Sequence, residues 1–524
     1  MGKGRKLSLV LASGMLVLSA AACSNTTSAP KEKTEQNGES KETSGPKVSE
    51  KPMEMTIHLH YNDGQVIFDD NWSTFKKAAE VTNVSLKGVA PKSSTKSEEA
   101  FNLMIASGKI PDLVFEKKEN LNKYGKEGAF IPLEDLIKEH AHHIQSYLDK
   151  MPEIMKVSKA ADGHLYYLPF IADGEAAEGW FIRQDWLDKL GLKMPQTVDE
   201  YYAVLKAFKE KDPNGNGKAD EVPLFTRINQ RIFDLASLWG GYGDFYLQGD
   251  KVVYGPMEKD FGNAMENLAK WYSEGLIDPE IFTRGATSRD ILFGNNTGGS
   301  THDWFASTVT YNDISKKHTP EFNLVPMAPP ENSKGERVEP TIRSPFNNYT
   351  GVAIGHSVKD QVAAIKYLDY FFTDEGRRLM NYGVEGETYT LENGAPKFTK
   401  EVLGSPDVPG ALRAVGAQIM FAYQQDFEYE KQWMAPLALE GVEDYVKNDY
   451  FLEEVPALNF TEEEEKIKND IGLQIMTYRD EMIQKWMMGA EPVDFEKFTK
   501  RLKEMGVDKL IKVHEDAYKR YTKG

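Results

Sequence analysis

The chain has 524 residues, of which 40% are hydrophobic and 27% charged, and its 63 basic and 81 acidic residues give a formal net charge of −18. This hydrophobic share is enough for packed cores and excludes a largely disordered chain. An acidic chain without a basic run argues against nucleic acid as the partner, because phosphate neutralisation needs clustered cations. The single cysteine excludes a disulfide framework and a cysteine-rich zinc site.

That cysteine, Cys23, follows a segment typical of an export signal. Three basic residues precede an apolar run at 7–18, and three alanines at 20–22 lead to the cysteine. The apolar run is too short to span a bilayer comfortably. The pattern resembles a bacterial lipoprotein signal, in which the cysteine is lipidated and becomes the first mature residue. An ordinary signal cleaved beside Cys23, which leaves a free thiol, is the alternative.

Removal of residues 1–22 takes away three positive and no negative charges, which makes the net charge −21. Residues 23–50 contain almost no apolar side chains and are expected to form a flexible tether. We therefore expect an exported protein held by acyl chains such as palmitate at the outer face of the cell membrane. A Gram-positive membrane is favoured over a periplasm.

The folded region begins with alternating apolar and polar residues at Met55–Tyr61, which predict a half-buried strand with His58 and His60 on its polar face. Helical patterns follow at 72–82 and 98–107. A Gly/Pro break then leads into a short apolar strand at 112–115. This alternation of strand and helix is typical of α/β architecture.

Further strands are predicted at 166–169, 323–327 and 351–355, and long helices at 362–372 and 462–488. Strands scattered along the chain, with a helix-rich C-terminal third, predict two lobes that the chain crosses between more than once. The predicted segments are lobe 1 at 51–165, lobe 2 at 166–320, a return to lobe 1 at 321–390, and a helix-rich completion of lobe 2 at 391–524.

One helix start can be predicted in detail. Thr197-Val-Asp-Glu200 is a capping box, in which the Thr hydroxyl and the Glu carboxylate each accept a hydrogen bond from a free backbone N–H. Val204, Leu205 and Phe208 then share one apolar face.

The loop after this helix has the spacing of an EF-hand calcium loop. A hard cation needs six or more oxygens, and alternate residues of a tight Gly-containing turn can supply them. Position 12 of the loop is Pro223 instead of Glu, and Glu221 is the substitute. An ion-free turn is the alternative. The predicted structural Ca²⁺ ligands are Asp212, Asn214, Asn216, the Lys218 carbonyl, Asp220 and Glu221.

Enzyme motifs are absent from the sequence: it has no His-Glu-x-x-His, no Gly-x-Ser-x-Gly and no Gly-rich nucleotide fingerprint. A glycoside hydrolase needs only two carboxylates at the right separation, so the sequence leaves that class open.

Several aromatic residues stand beside polar or Gly-rich segments. Trp304, Trp433 and Trp239 are candidates for a flat ligand platform, and a buried core position is the alternative for each. Trp186 keeps helical register with Leu190 and is predicted to be a core residue.

Five segments together resemble the extracellular solute-binding proteins of ABC sugar importers, and within them the alginate-oligosaccharide-binding proteins. The likeness runs from about Met55 to the C-terminus. It implies a type II periplasmic-binding-protein-like fold with an interlobe cleft and hinge crossovers, the calcium loop, and sugar-stacking roles for Trp304 and Trp433. The segments are Asn102–Asp112, Phe181–Leu187, Leu205–Glu221, Thr301–Ser307 and Ala328–Gly335.

The sequence differs from these relatives at 227–231 and 341–349, which leaves uronate-containing and neutral oligosaccharides both open. We expect a non-enzymatic monomer that closes around an oligosaccharide and delivers it to ABC permease subunits. A secreted polysaccharide hydrolase or lyase and a structural surface lipoprotein are the other classes. An anionic sugar favours arginine partners, with Arg231 a further candidate. The predicted ligand-binding residues are Trp304, Trp433, Asp303, Trp239, Tyr166, Arg343, Arg227 and Tyr389.

Overall fold

Two mixed sheets, each beside its own buried core, organise the part of the chain that the computed structural model describes. The described residues are 47–523 without 63–64, 173–176, 228–231 and 342–349. The predicted signal with Cys23, most of the tether, and the candidates Arg231 and Arg343 lie outside them. Within the described ranges no helix is long and apolar enough to cross a membrane.

Short strands alternate with helices along most of the chain, and helices predominate near its C-terminus. The strands are β1 (Met53–His58), β2 (His60–Tyr61), β3 (Val66–Ile67), β4 (Val84–Gly88), β5 (Leu113–Lys117), β6 (Leu168–Pro169), β7 (Glu178–Arg183), β8 (Val222–Thr226), β9 (Phe245–Gln248), β10 (Lys251–Tyr254), β11 (Gly298–Trp304), β12 (Leu324–Met327), β13 (Thr350–Ile354), β14 (Tyr389–Glu392) and β15 (Ala395–Phe398). The helices are α1 (Ser73–Thr82), α2 (Ser97–Ser107), α3 (Lys118–Lys126), α4 (Glu134–His140), α5 (His142–Lys150), α6 (Pro152–Ser158), α7 (Gln184–Leu190), α8 (Val198–Glu210), α9 (Lys259–Ser273), α10 (Ser288–Gly294), α11 (Phe305–Val309), α12 (Tyr311–Ser315), α13 (Gln361–Tyr370), α14 (Asp374–Tyr382), α15 (Lys400–Leu403), α16 (Val408–Ala414), α17 (Phe427–Lys431), α18 (Pro436–Asn448), α19 (Glu462–Ile467), α20 (Leu473–Met487), α21 (Phe495–Met505) and α22 (Val507–Lys523). Short 3-10 turns lie at Asp234–Trp239, Gly255–Met257 and Gly285–Thr287, and a π-helical turn at Lys468–Gly472 joins α19 to α20.

The first sheet has the order β4-β1-β5-β13-β6. Strand β1 pairs in parallel with both β4 and β5, so it is a central strand. The prediction that His58 and His60 lie on a polar face is therefore wrong, because both side chains are buried. His60 Nε2 donates to the Ser94 carbonyl (3.0 Å). Burial lowers the pKa of His58 to about 4, which keeps this ring neutral at pH 7.

The second sheet has the order β12-β7-β11-β8. Strand β11 is antiparallel to β7 and parallel to β8. Gly299 lets β11 pack closely, since a Cβ there would lie 2.8 Å from the Phe208 ring and 2.9 Å from the Pro223 carbonyl oxygen. Trp186 is 1% exposed, which confirms its predicted core position. The mixed α/β fold predicted from the sequence is confirmed.

Helix α8 begins as predicted at its Thr cap. Thr197 Oγ1 accepts a hydrogen bond from the Glu200 backbone N–H (3.2 Å). The partner of the Glu200 carboxylate differs from that of a capping box, because the carboxylate accepts a hydrogen bond from the backbone N–H of Gln196 (2.7 Å). The chain is thus held one residue earlier than in a standard capping box.

The two sheets divide the chain differently from the predicted lobe boundaries. Strand β6, beyond residue 165, pairs with β13 in the first sheet, and β12, beyond residue 320, pairs with β7 in the second. The segment Ile419–Tyr423 packs in the core of the first sheet, although the sequence predicts 391–524 to complete the second lobe. Apolar residues of α20, α21 and α22 do pack in the core beside the second sheet.

Lys118 links the start of α3 to a distant segment. This side chain is 5% exposed, and its Nζ donates to the carbonyls of Ala457 (2.9 Å) and Leu458 (3.4 Å). Burial lowers the pKa of Lys118 to about 8, because a charged ammonium loses hydration in this position. The segment around Ala457 is thereby fastened to the helix that follows β5.

We expect Lys118 to make the protein more stable as pH rises from 8 to 10. The folded pKa lies below the unfolded value of 10.5, so in this window the unfolded chain binds more protons. Relative to Lys118→Met, the unfolding free energy of the unmodified protein should rise by on the order of 2 kcal/mol by pH 10. Urea denaturation at several pH values measures this slope. Lys123→Met, on the same helix, is the control, and an equal slope in both variants would contradict the assignment.

Candidate functional site

Several candidate residues lie at one edge of the second sheet. Parallel strands β8 and β11 end at this edge, and antiparallel β7 starts there with Glu178 opposite Trp304. Arg227 directly follows β8, and Trp304 is the last residue of β11. The topology therefore brings the Arg227 guanidinium and the Trp304 indole to the same edge of the sheet. Ligand sites of α/β proteins commonly lie at such strand ends.

Asp303 holds two arginines at this edge. Its carboxylate is buried and accepts from Arg227 Nε (2.9 Å), while Arg289 Nε lies 3.4 Å from its second oxygen. Arg289 also donates to the hydroxyls of Ser307 (2.7 Å) and Thr308 (2.9 Å). Both oxygens of Asp303 therefore lie beside arginine side chains, and its direct contact with a ligand stays a prediction. Two guanidinium groups thus share one carboxylate.

Trp304 and Trp433 are each next in sequence to a member of one buried cluster. Trp304 precedes Phe305, Trp433 precedes Met434, and both of these neighbours belong to the cluster beside the second sheet. Both side chains are half-buried, so part of each contacts solvent. Trp433 also packs near Tyr429, with ring centroids 6.4 Å apart. The two indoles are therefore neighbours of one cluster in sequence, while the Trp433 ring itself packs against a different cluster.

The two candidate tyrosines lie in different surroundings. Tyr389 is buried in a small cluster against which Trp433 packs, so these two predicted residues are brought together. Tyr166 is buried against Gly125, and its hydroxyl donates to Asp162 (2.8 Å). Nothing in the described contacts joins Tyr166 to either platform tryptophan.

The structure corrects the assignment of Trp239. This side chain is 5% exposed and meets Trp271 edge-on, with ring centroids 4.8 Å apart. It is part of the core beside the second sheet. A ring enclosed in this way has no face for a ligand.

A group of buried ionisable residues lies beside the tryptophan edge. His302 Nε2 donates to Glu339, with the two carboxylate oxygens at 3.0 and 2.9 Å, and Asp234 lies 3.9 Å from Nδ1. Burial alone lowers the pKa of His302, but the negative charge and hydrogen bond of Glu339, with Asp234 and Glu178, outweigh it and raise the pKa to about 9. The ring is therefore positively charged at pH 7 in the absence of a metal.

The predicted calcium loop forms a tight turn between α8 and β8. The Asp212 carboxylate accepts the backbone N–H groups of Asn216 and Gly217, both at 3.0 Å. Asp220 accepts the side-chain amides of Asn214 and Asn216, both at 3.0 Å. The oxygen-bearing residues that the spacing indicates are therefore drawn together.

The residues of this loop fit a calcium ion. Glu221 is 1% exposed, and neither carboxylate oxygen accepts a hydrogen bond of normal geometry within the described part of the chain. Burial raises the pKa of Glu221, and the charges of Asp212 and Asp220 add to this. A cation would compensate the burial and the repulsion together. The six predicted ligands would hold it, with the amide groups of Asn214 and Asn216 turned to present oxygen.

The loop and the tryptophan edge lie at opposite ends of β8. The strand has five residues, which at about 3.3 Å per residue separates its ends by roughly 16 Å. An ion in the loop would therefore stabilise the fold without touching a ligand at the Arg227 end.

Sequence reasoning missed Arg289, His302 and Glu339. Their roles depend on partners that are distant in the chain, and Glu339 is 37 residues from His302. His302 lies in the segment Thr301–Ser307, which the sequence already marks as informative. Within that segment the candidate ligand-binding residues are Asp303 and Trp304, and the histidine is not among them.

Comparison with known proteins gives a family and several relatives. Residues 73–383 match the family described as bacterial extracellular solute-binding protein. The crystal structure of the alginate-binding protein AlgQ2, solved without calcium ion, is 42% identical with a TM-score of 0.76. The alignment covers 90% of this chain and 99% of AlgQ2.

Two relatives are named for the saccharides that they bind. The polygalacturonan/rhamnogalacturonan-binding protein YtcQ of Bacillus subtilis is 25% identical over 457 residues, which cover 85% of this chain and 87% of YtcQ. The fructooligosaccharide ABC transporter substrate-binding protein FusA of Streptococcus pneumoniae is 32% identical over 256 residues. That match covers 43% of this chain and 47% of FusA, so it spans about half of that relative.

Proposed function

The chain belongs to the bacterial extracellular solute-binding protein family, and from this premise we propose that it is the oligosaccharide receptor of an ABC importer. It captures an oligosaccharide between its two lobes and delivers it to the permease without chemical change. A ligand that contacts both lobes only in the closed state shifts the population toward closure. The permease then binds the closed form.

The observation that carries this proposal is the edge where Trp304 stands beside Arg227 and the buried Asp303. A pyranose ring has an apolar C–H face that an indole can cover and a belt of hydroxyls that polar groups can bind. We assign Trp433, whose neighbour Met434 belongs to the same cluster as Phe305, as the second indole. An indole beside a positioned guanidinium is a binding arrangement, and it needs no nucleophile or acid–base pair.

The ligand class that we propose is a uronate-containing oligosaccharide. Arg227 uses Nε for Asp303, and a guanidinium has two further nitrogen groups that can form a fork with a carboxylate. Arg227 and Arg289 both stand at this edge, and either guanidinium can pair with the carboxylate of an acidic sugar. The relatives named for alginate and polygalacturonan support this class. The relative named for fructooligosaccharide supports a neutral sugar as the second candidate.

Calorimetric titration with a sugar panel distinguishes the two classes. The panel contains oligomannuronate, oligogalacturonate, a fructooligosaccharide and a maltooligosaccharide, and chromatography of each mixture detects any cleavage. We expect one uronate series to bind with one site per chain and to be recovered intact. Tight binding of a neutral sugar alone would favour the second candidate, and steady cleavage would favour an enzyme.

Arg227→Gln should weaken binding of the uronate at least tenfold, because it removes a charged fork from a partly buried position. Its affinity for any neutral sugar that binds should change little. Arg501→Gln, at an exposed position on α21, is the matched control. An unchanged uronate affinity in Arg227→Gln would remove this residue from the proposed site.

We also propose that the mature protein is a monomer lipidated at Cys23 and anchored to the outer face of the cell membrane. The signal-like segment and the polar tether support this arrangement. Mass spectrometry of the membrane fraction would detect acyl chains on a peptide that begins with Cys23. An unmodified thiol on secreted protein would support ordinary signal cleavage.

A further inference from the structure

A second candidate metal site lies away from the calcium loop. Glu178, Asp234 and His302 each direct one ligand atom to a common place, with these atoms within 4.8 Å of one another. They come from β7, from the 3-10 turn at Asp234–Trp239 and from β11. Three separate elements therefore converge on a volume of the size that one metal ion occupies.

His302 supplies an independent indication of a ligand. The side chain is 0% exposed, and Nδ1 has no hydrogen-bond partner of normal geometry within the described ranges. This nitrogen faces Asp234, at 3.9 Å, which is too far for a hydrogen bond but leaves room for an ion between them. A buried ring nitrogen aimed at two carboxylates is a suitable metal donor.

The other side of the ring has the support that metal-bound histidines commonly have. Nε2 donates to the fully buried carboxylate of Glu339. Such a carboxylate fixes the tautomer, orients the ring and makes the opposite nitrogen a better ligand. Glu339 and His302 therefore form the first two parts of a carboxylate–histidine–metal triad, and Nδ1 is the atom that would bind the metal.

We propose that His302 Nδ1, Glu178 and Asp234 bind one zinc ion, with water in the remaining position. One nitrogen and two carboxylates suit Zn²⁺, whereas Ca²⁺ prefers six to eight oxygens. Binding of the ion needs Nδ1 without a proton, so any proton on this nitrogen leaves to solvent. The site is distinct from the calcium loop, because His302 pairs with Thr226 at the far end of β8.

Zinc in this position would fix the edge that presents Trp304. His302 is two residues before Trp304, and Glu178 pairs with Trp304 from β7. Glu339 lies between β12 and β13, in the segment that connects the two sheets. The ion would thus hold His302 and, through it, Glu339 in place beside the second sheet, independently of which sugar binds.

The test is titration of chelator-treated protein with zinc chloride, followed by elemental analysis after dialysis. We expect one zinc per chain, and cobalt chloride should give the visible absorption of a low-coordinate Co²⁺ site. Asp234→Asn and Glu178→Gln should each weaken zinc binding at least tenfold. Asp234 is partly exposed, so its variant is expected to fold even if a change at His302 prevents folding.

Two controls separate this site from others. Asp212→Ala changes the calcium loop and should leave zinc affinity unchanged. His143→Gln removes a half-exposed histidine at the start of α5 and should also have no effect. The proposal is overturned if no stoichiometric zinc binds, or if His143→Gln abolishes binding while Asp234→Asn and Glu178→Gln retain it.

Discussion

Replacement of Trp304 or Trp433 by Ala should weaken oligosaccharide binding about thirtyfold, which corresponds to roughly 2 kcal/mol. Each indole is half-buried and next in sequence to a member of the cluster that contains Phe305 and Met434, and each is proposed to cover the apolar face of a sugar ring. Truncation removes this contact from a site that loses its water on closure. Calorimetry with the cognate oligosaccharide gives the affinity of each variant.

The same variants should lose little stability, since part of each ring already contacts solvent in the ligand-free protein. Trp239→Ala is the matched control, because this ring is enclosed against Trp271. The control should lower the unfolding free energy by about 3–5 kcal/mol, as for other large-to-small core changes. Unchanged sugar affinity with a large loss of stability in Trp304→Ala and Trp433→Ala would show that they are core residues.

Chelation of calcium should lower the melting temperature. A ligand that binds only the folded state adds about 2.7 kcal/mol of stability when its free concentration is a hundred times its dissociation constant. Glu221 is buried with negative neighbours, so loss of the ion leaves an uncompensated carboxylate in the turn. Differential scanning calorimetry with calcium and with excess chelator measures the difference.

Asp212→Ala should reproduce the chelated state and remove the response to calcium. Glu210→Gln, at an exposed position on α8 just before the loop, is the control and should keep the full response. Because the loop lies at the other end of β8 from Arg227, sugar affinity should change little when the loop is altered. A melting temperature that is insensitive to chelator, with no calcium by elemental analysis, would contradict the loop assignment.

Local patterns in the sequence predict much of the fold. The oxygens of the calcium loop are set by spacing within ten residues, and the Thr197 cap depends on a residue three positions away, so both can be inferred directly. The strands β5, β12 and β13 are predictable because short apolar runs stand between turn signals. The buried Trp186 follows from helical periodicity.

Features that depend on distant partners cannot be predicted in this way. An alternating pattern does not distinguish an edge strand from a central one, which is why it wrongly places His58 and His60 on a polar face. Gly-rich neighbours suggest a loop position for Trp239, but Trp271, 32 residues later, encloses it. The pairing of Arg289 with Asp303 exists only after α10 and β11 have packed.

The central claim is that the protein closes around an intact oligosaccharide, and small-angle X-ray scattering tests it most directly. The measurement compares the radius of gyration without ligand and with a saturating uronate oligosaccharide, whose occupancy is established by calorimetry. Hinge closure predicts a smaller radius of gyration in the saturated sample and a return to the original value when the sugar is removed. An unchanged radius of gyration at full occupancy would contradict capture by closure.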